Sequence, residues 1–312
     1  MRGAKLGVAF GHRQGSDPKD VSHICSFLWP ETEHRPRVTG DVVAIPLTPE
    51  ELLMDQDRAV LLMHRAVKFA ERAGPKIDVV GLGSLCAVVG RRGLALQERL
   101  NIPVTTGGAA TVWTMFSNAL NANPNRETMG VLGSSSPVGK ALIQLLHQEG
   151  IPLKVDSRKS KKGLNGDIEA KEAAEIAGSE KWIIGCGPTG PSFSQEVLCS
   201  NATVLDVALP HTFSPMKPSR KDIRTLFAER MTMPEDWDRG VWGRIYHMVS
   251  GYGYRTVLAC LVEPAIMAAI NRERPFAQGR KIDVQDVLDF GRKSSELGFD
   301  AALSSDFWLG IR

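Results

Sequence analysis

Thr128-Met-Gly-Val-Leu-Gly-Ser-Ser-Ser-Pro-Val-Gly-Lys140 is a short apolar run that breaks into a small, glycine-punctuated turn and then opens a helix. Met129, Val131 and Leu132 make the buried strand and Gly133 permits the tight turn. Gly139, six residues on, lets a helix over Pro137 to Gln148 start close against that strand. The first N–H groups of such a helix, and the positive end of its dipole, face an anion. The turn Gly133, Ser134, Ser135, Ser136, Pro137, Val138 and Gly139 is therefore the expected seat of a pyrophosphate. The usual dinucleotide fingerprint has a glycine where this chain has Ser136, a small hydroxyl residue able to bond a phosphate oxygen itself. A bare strand, turn and helix of any α/β protein shares the pattern, so the flanking sequence has to decide.

Pro152-Leu-Lys-Val-Asp156 reads as the second strand of a βαβ unit and ends 23 residues after Gly133, where an acid that reads the ribose is expected. Asp156 favours NAD. Ser157, Arg158 and Lys159, followed by Ser160, Lys161 and Lys162, form a hydroxyl and cationic cluster suited to a 2′-phosphate, and they turn the expectation to NADPH over NADH. The other reading of those lysines is an ordinary solvated loop. Cys186 and Gly187, in the sequence Gly185-Cys-Gly187, lie in a loop that approaches the nicotinamide in folds of this kind.

The 312 residues are enough for about two domains with full cores, and 43% apolar with 23% charged residues is an ordinary globular composition. A balance of 38 basic against 35 acidic residues leaves +3, with no basic stripe interleaved with aromatics, so nucleic acid is not an expected partner. The longest apolar stretch, Thr256 to Ile270, is interrupted by Glu263 and Pro264, so no stable membrane insertion and a cytoplasmic location are expected. Five cysteines without a C-x-x-C pair indicate neither a disulfide framework nor a zinc site, and no metal is expected.

Along the chain, Leu6–Phe10 and Asp41–Leu47 read as strands joined by a polar loop, and Thr48-Pro-Glu-Glu51 caps a helix that runs to Gly74. Strands at Ile77–Cys86 and Ile102–Gly108 both end in glycine-rich loops, with a helix starting at Arg91 and Arg92 between them. A helix Ala109–Ala122 follows. Residues 167–177 read as a helix, and 181–190 and 202–210 as the third and fourth strands of the nucleotide domain. The part beyond Asp222 reads as mostly helical: Val241–Met248, Tyr254–Asn271 and Val284–Ser295. The expected fold is α/β: a Rossmann-type dinucleotide-binding domain over 123–221, an α/β substrate domain over 1–122, and C-terminal helices over 222–312 that complete the substrate domain.

Among the cysteines, local context ranks Cys86 first, since it follows Gly81-Leu-Gly-Ser84 near a possible helix N-terminus that favours a thiolate. Cys260, embedded in Val257-Leu-Ala-Cys-Leu-Val262, reads from pattern as a buried core thiol, and Cys25 and Cys199 as structural.

Gly81-Leu-Gly83, Thr105-Thr-Gly107, the Gly133 to Gly139 turn, Arg255-Thr-Val-Leu-Ala-Cys260 with Glu263, and Gly291 followed by Gly298-Phe299 together resemble the cyanobacterial long-chain acyl-[acyl-carrier-protein] reductases, over nearly the whole chain. That resemblance implies an NADPH-dependent reduction of an acyl thioester to an aldehyde. Cys260 would be the nucleophile that carries the acyl group, and a carrier protein or coenzyme A the donor. Thr106, Ser84 and the amides of Gly107 and Gly108 would then face the oxyanion; a compact strand-to-helix turn is the plainer reading of Thr105–Gly108. Arg91, Arg92, Arg272 and Arg274 would be docking candidates for an acidic carrier protein, and His247 or Tyr252 a proton donor or base. The apolar helix around Cys260 reads as core packing or the wall of an acyl channel. Two alternatives stand beside this: a shikimate-dehydrogenase-like or amino-acid-dehydrogenase-like oxidoreductase on a small polar substrate, and a non-catalytic NADP-binding regulator.

Overall fold

The computed structural model describes residues 4–11, 22–33, 35–72, 77–156, 168–187, 193–207, 212–214, 220–237 and 255–304. Two compact units divide the chain. Met1–Ala110 with Met231–Asp300 make up the first, and Thr111–Arg230 with a strand at 301–304 the second.

The first unit is built on a five-stranded sheet of β1 Ala4–Gly11, β2 Ser22–Trp29, β3 Val38–Ile45, β4 Val79–Gly83 and β5 Val104–Thr105, in the order β2-β3-β1-β4-β5. β3 and β4 run parallel to β1, and β5 parallel to β4, while β2 is an antiparallel edge. β2 lies in the segment that the sequence suggests is loop; its apolar residues Phe27, Leu28 and Trp29 gain their place by pairing with β3, which no local pattern announces. After β3, Thr48 closes a capping box: its hydroxyl accepts from the Glu51 amide at 3.2 Å while the Glu51 carboxylate accepts from the Thr48 amide at 2.8 Å. The helix expected there is split at Asp55 into α1 Pro49–Met54 and α2 Gln56–Arg72. α2 lays Val60, Met63 and Val67 on the core formed with Ile45, Val80, Leu82 and Val104. In place of one helix between β4 and β5 come a 3-10 turn at Ser84–Val88 and two short pieces, α3 Val89–Arg92 and α4 Leu94–Gln97. α5 Gly108–Ala122 then carries the chain into the second unit.

In the second unit come β6 Met129–Leu132, α6 Pro137–Gln148, β7 Leu153–Asp156, β8 Ile168–Lys171, α7 Ala173–Ser179, β9 Trp182–Gly185, β10 Phe193–Ser194, β11 Thr203–Asp206, β12 Phe213–Ser214 and β13 Arg224–Thr232. Its main sheet has the order β13-β11-β9-β6-β7-β8, and every pair along it is parallel. Counted from β6, that is the 3-2-1-4-5-6 order of the doubly wound dinucleotide fold, with the switch point between β6 and β9. Two of the six strands depart from the sequence expectation. Ile168-Glu-Ala-Lys171 has helix-forming residues and reads as the start of a helix, yet it pairs with β7. Arg224–Thr232 lies in the stretch expected to be mostly helical, yet it pairs with β11 and holds six consecutive buried residues.

The chain then returns to the first unit through β14 Thr256–Leu258, α8 Ala259–Ala269, β15 Ala277–Gln278, β16 Lys281–Ile282 and α9 Val284–Glu296, the last capped by the Asp283 carboxylate on the Gln285 amide at 2.9 Å. The expected helix Tyr254–Asn271 is thus shorter, because Thr256-Val-Leu258 is extended and α8 begins only at Ala259. α8 packs on β4, β1 and β3, and α2 on β1 and β3. β17 Ala301–Ser304 pairs with β13 in the second unit. Val241–Met248, also expected as a helix, lies outside the described residues.

Candidate functional site

The carboxyl edge of the second unit's sheet carries the glycine turn. Gly133 has φ +88°, and a β-carbon there would stand 2.5 Å from the Gly187 amide nitrogen. A β-carbon on Gly139 would stand 2.4 Å from the Gly133 carbonyl oxygen, so this glycine is what allows α6 to start against the turn. Ser136 caps α6: its hydroxyl accepts from the Gly139 amide at 2.9 Å and donates to the Cys186 carbonyl at 3.1 Å. It is buried in that role, so the direct phosphate contact expected of it is replaced by holding the turn together. Pro137 occupies the first helical position, where its missing N–H costs nothing, Val138 is half-buried, and Ser135 is exposed at the tip.

Asp156 faces this turn from the end of β7. Its carboxylate accepts from the Gly133 amide at 3.0 Å and the Ser134 amide at 2.7 Å, and the Ser134 hydroxyl donates to its carbonyl. The acid thus buttresses the loop. Ser157, Arg158 and Lys159, expected to hold a 2′-phosphate, lie outside the described residues. Cys186 is turned inward: its thiol donates to the Leu132 carbonyl at 3.1 Å, and burial, followed by Asp156 and Asp206, pushes it far above the ordinary thiol range. Its neighbour Gly187 is the backbone against which Gly133 closes.

In the first unit, the strand ends of β4 and β5 bring a second set together. Cys260 is the second residue of α8 and is half-buried. Its backbone is pressed against Gly107, which has φ +70° and whose β-carbon would lie 2.4 Å from both Cα and Cβ of Cys260. A β-carbon on Gly81 would lie 2.4 Å from Cγ of Pro264, the proline inside α8. Pro264 has no N–H to give the Cys260 carbonyl four residues earlier, so the first turn of α8 is held by the strand ends rather than by its own ladder alone.

Glu263, fully buried one turn after Cys260, links three elements. Its carboxylate accepts from the Thr105 hydroxyl of β5 and from the Ala110 amide of α5, the latter at 2.9 Å. A carboxylate on the first amides of α5 caps that helix from another part of the chain. Burial pushes the Glu263 carboxyl up to about 7, against the opposing pull of the Thr105 hydroxyl and the α5 amides. Glu263 figures in the sequence only as a neighbour of Cys260; its partners lie 158 and 153 residues away, where no local signal reaches.

The remaining expected residues divide. Thr106 spends its hydroxyl and its amide on the Ala277 carbonyl, at 3.2 and 3.0 Å, and the Gly107 amide donates to the Thr105 hydroxyl at 3.3 Å. Ser84 is half-buried in a left-handed conformation, φ +51°, just past the end of β4. Cys86, first in rank from its local context, is sealed in the core with Leu82 and Leu85, and so is a packing residue. Arg272 lies over the Phe276 ring at 3.9 Å and is paired with Asp286 at 2.6 Å and Asp289 at 3.0 Å, a brace between α8 and α9 rather than a free docking charge. Arg274, largely exposed, shares Asp286, and Arg91 pairs with Glu98. His247 and Tyr252 lie outside the described residues.

No group of side chains suited to a metal ion occurs among the described residues, and no helix among them is long and apolar enough to cross a membrane.

No protein-family model matches the chain. A curated relative, the aminotransferase PigE of Serratia sp. (strain ATCC 39006), is 24% identical over an alignment of 280 residues that covers 83% of this chain and 32% of the relative. The chain thus spans about a third of that protein's length. Similar solved structures include an NADPH-dependent glyoxylate/hydroxypyruvate reductase from Sinorhizobium meliloti, at 15% identity with TM-score 0.30, covering 48% of this chain and 68% of that one. A D-lactate dehydrogenase from Lactobacillus jensenii matches at 13% identity with TM-score 0.27, covering 54% and 64%. Two of these findings correct the resemblance to acyl-[acyl-carrier-protein] reductases: the curated relative is named as an aminotransferase and no family model matches, and the reading as an acyl-thioester reductase falls with that resemblance. The parallel strand order establishes the chain as an α/β protein with a Rossmann-type unit.

Proposed function

We propose that this chain is an NAD(P)-dependent oxidoreductase that transfers hydride to or from a carbonyl carbon. The observation that carries the reading is the 3-2-1-4-5-6 parallel sheet with Gly133 and Gly139 at the turn after its first strand, where a β-carbon at either position would meet backbone. The residues present fit a dinucleotide. α6 offers an N-terminus with no acid in its first turn, and Ser134 and Ser135 line the turn. When bound, the cofactor supplies or takes the hydride; the protein's part is to hold it and to present the substrate.

Asp156 already serves the loop amides, so the ribose is read by the residues after it, and Ser157, Arg158 and Lys159 favour NADPH over NADH. On the first unit, Cys260, packed against Gly107, is proposed as the side chain that meets the substrate carbonyl. Glu263 positions the turn that carries Cys260. A carbonyl compound is what an aminotransferase converts to an amine. The matched segment is 32% of a relative named as an aminotransferase, which supports a carbonyl product destined for transamination.

The test is consumption of NADPH and of NADH by the purified chain with a panel of aldehydes, ketones and 2-oxo acids, read by nicotinamide absorbance. Turnover with at least one carbonyl class, abolished in the Cys260→Ala variant while NADPH still binds, is expected. Cofactor binding with no turnover of any carbonyl compound, in either direction, rejects the reading.

A further inference from the structure

Strand β13 runs past the end of its neighbour. The last paired residue of β11 is Asp206, opposite Phe227, and Glu229 stands two residues further along β13, on the same face as both. Glu229 is 5% exposed, and neither of its carboxylate oxygens has a hydrogen-bond partner. The guanidinium of Arg230 comes to 3.5 Å of Oε1 without hydrogen-bond geometry.

The other buried acids among the described residues are satisfied. Asp206 accepts from the Thr212 amide at 2.8 Å and its hydroxyl at 3.2 Å; Glu180 accepts from Lys154 and Ser179; Glu263 accepts from Thr105 and Ala110. The Arg230 guanidinium offsets the charge, yet a buried carboxylate without a well-formed hydrogen bond is still costly to keep, and such an exception calls for a further donor.

The strand order says which donor arrives there. With the switch point between β6 and β9, a dinucleotide whose pyrophosphate sat on α6 would send its adenosine half over β7 and its nicotinamide half toward β9, β11 and β13. The polar handle of that ring is a carboxamide, whose N–H2 must find an acceptor when it leaves water. We propose that Glu229 is that acceptor, a cofactor-binding residue that reads the nicotinamide carboxamide at the carboxyl end of β13. The inference rests on the dinucleotide reading above.

Three ligands separate the two ideas: NADPH, the analogue with 3-acetylpyridine in place of nicotinamide, which has a methyl group where the amide has N–H2, and 2′-phospho-ADP-ribose, which has no ring. Titration of wild-type protein and Glu229→Leu is expected to show NADPH weakened roughly tenfold by the substitution, with the ring-less fragment and the acetylpyridine analogue unchanged. Glu229→Gln, of nearly the same size, serves if the leucine variant does not fold; its preference for NADPH over the analogue shrinks several-fold. An undiminished preference in Glu229→Gln, or equal loss of NADPH and the fragment in Glu229→Leu, overturns the inference and leaves the dinucleotide reading intact. Failure of the fragment to bind wild-type protein at all removes both.

Discussion

The β-carbon that Gly107 lacks would stand 2.4 Å from both Cα and Cβ of Cys260. The two residues are 153 positions apart in sequence, yet the turn after β5 and the first turn of α8 touch through this one missing side chain. The φ of +70° at Gly107 adds a second reason for glycine.

Gly107→Ala is therefore expected to lower stability by roughly 2 kcal/mol or more, since it combines a left-handed backbone with a clash against backbone atoms. Chemical denaturation measures it. Turnover should fall further than the folded fraction does, because any relief of the clash moves Cys260. Wild-type activity in a fully folded Gly107→Ala protein contradicts a role for this contact.

Cysteine accessibility gives a direct readout of the first unit. Brief treatment of native protein with iodoacetamide, followed by peptide mapping, should label half-buried Cys260 and Cys199 and spare Cys86 and Cys186, which are buried. Labelling of Cys260 should abolish turnover. Protection of Cys260 to the same degree as Cys86 would remove it as a residue that meets substrate.

Glu263 makes stability depend on pH in an unusual direction. Its carboxyl is raised to about 7 by burial, from an ordinary 4.5, so the folded chain keeps a proton that the unfolded chain releases. Its contribution is fully present below about pH 4.5 and is lost as pH rises through about 7, on the order of 3 kcal/mol over that window. Glu229, raised to about 7 by burial, acts with the same sign. Thermal unfolding at pH 5 and pH 8 should show the wild-type protein losing more stability than Glu263→Gln across that interval. Identical pH profiles for the two would place the ionisation of Glu263 elsewhere.

Asp156 separates loop support from ribose reading. Because its carboxylate holds the Gly133 and Ser134 amides, Asp156→Ala is expected to weaken NADPH and NADH by a similar factor, roughly tenfold or more, and to leave their ratio unchanged. A selective gain of NADPH over NADH in this variant would mean that Asp156 reads the ribose after all.

Much of the nucleotide unit was readable locally. β6, the turn at Gly133 to Gly139, α6 and β7 are contiguous, so apolar pattern, glycine spacing and Asp156 suffice to place them. β8 and β13 were not readable, since Ile168-Glu-Ala-Lys171 favours helix by residue type and is a strand only through its neighbour β7. The start of α8 was misplaced by several residues because apolar periodicity does not separate a short buried strand from the helix that follows it. That shift matters for chemistry: Thr256 lies in β14 and not on a helical turn before Cys260. The reach of Glu263 to Thr105 and Ala110, and the bare oxygens of Glu229, depend on strands and helices meeting from distant parts of the chain.

The seat of the cofactor is the claim on which the rest depends, and calorimetric titration of the untreated chain with NADPH and with NADH tests it most directly. Saturable one-to-one binding of at least one of them, competed by 2′-phospho-ADP-ribose or ADP-ribose, is the predicted result. No binding of either cofactor by folded protein would contradict it.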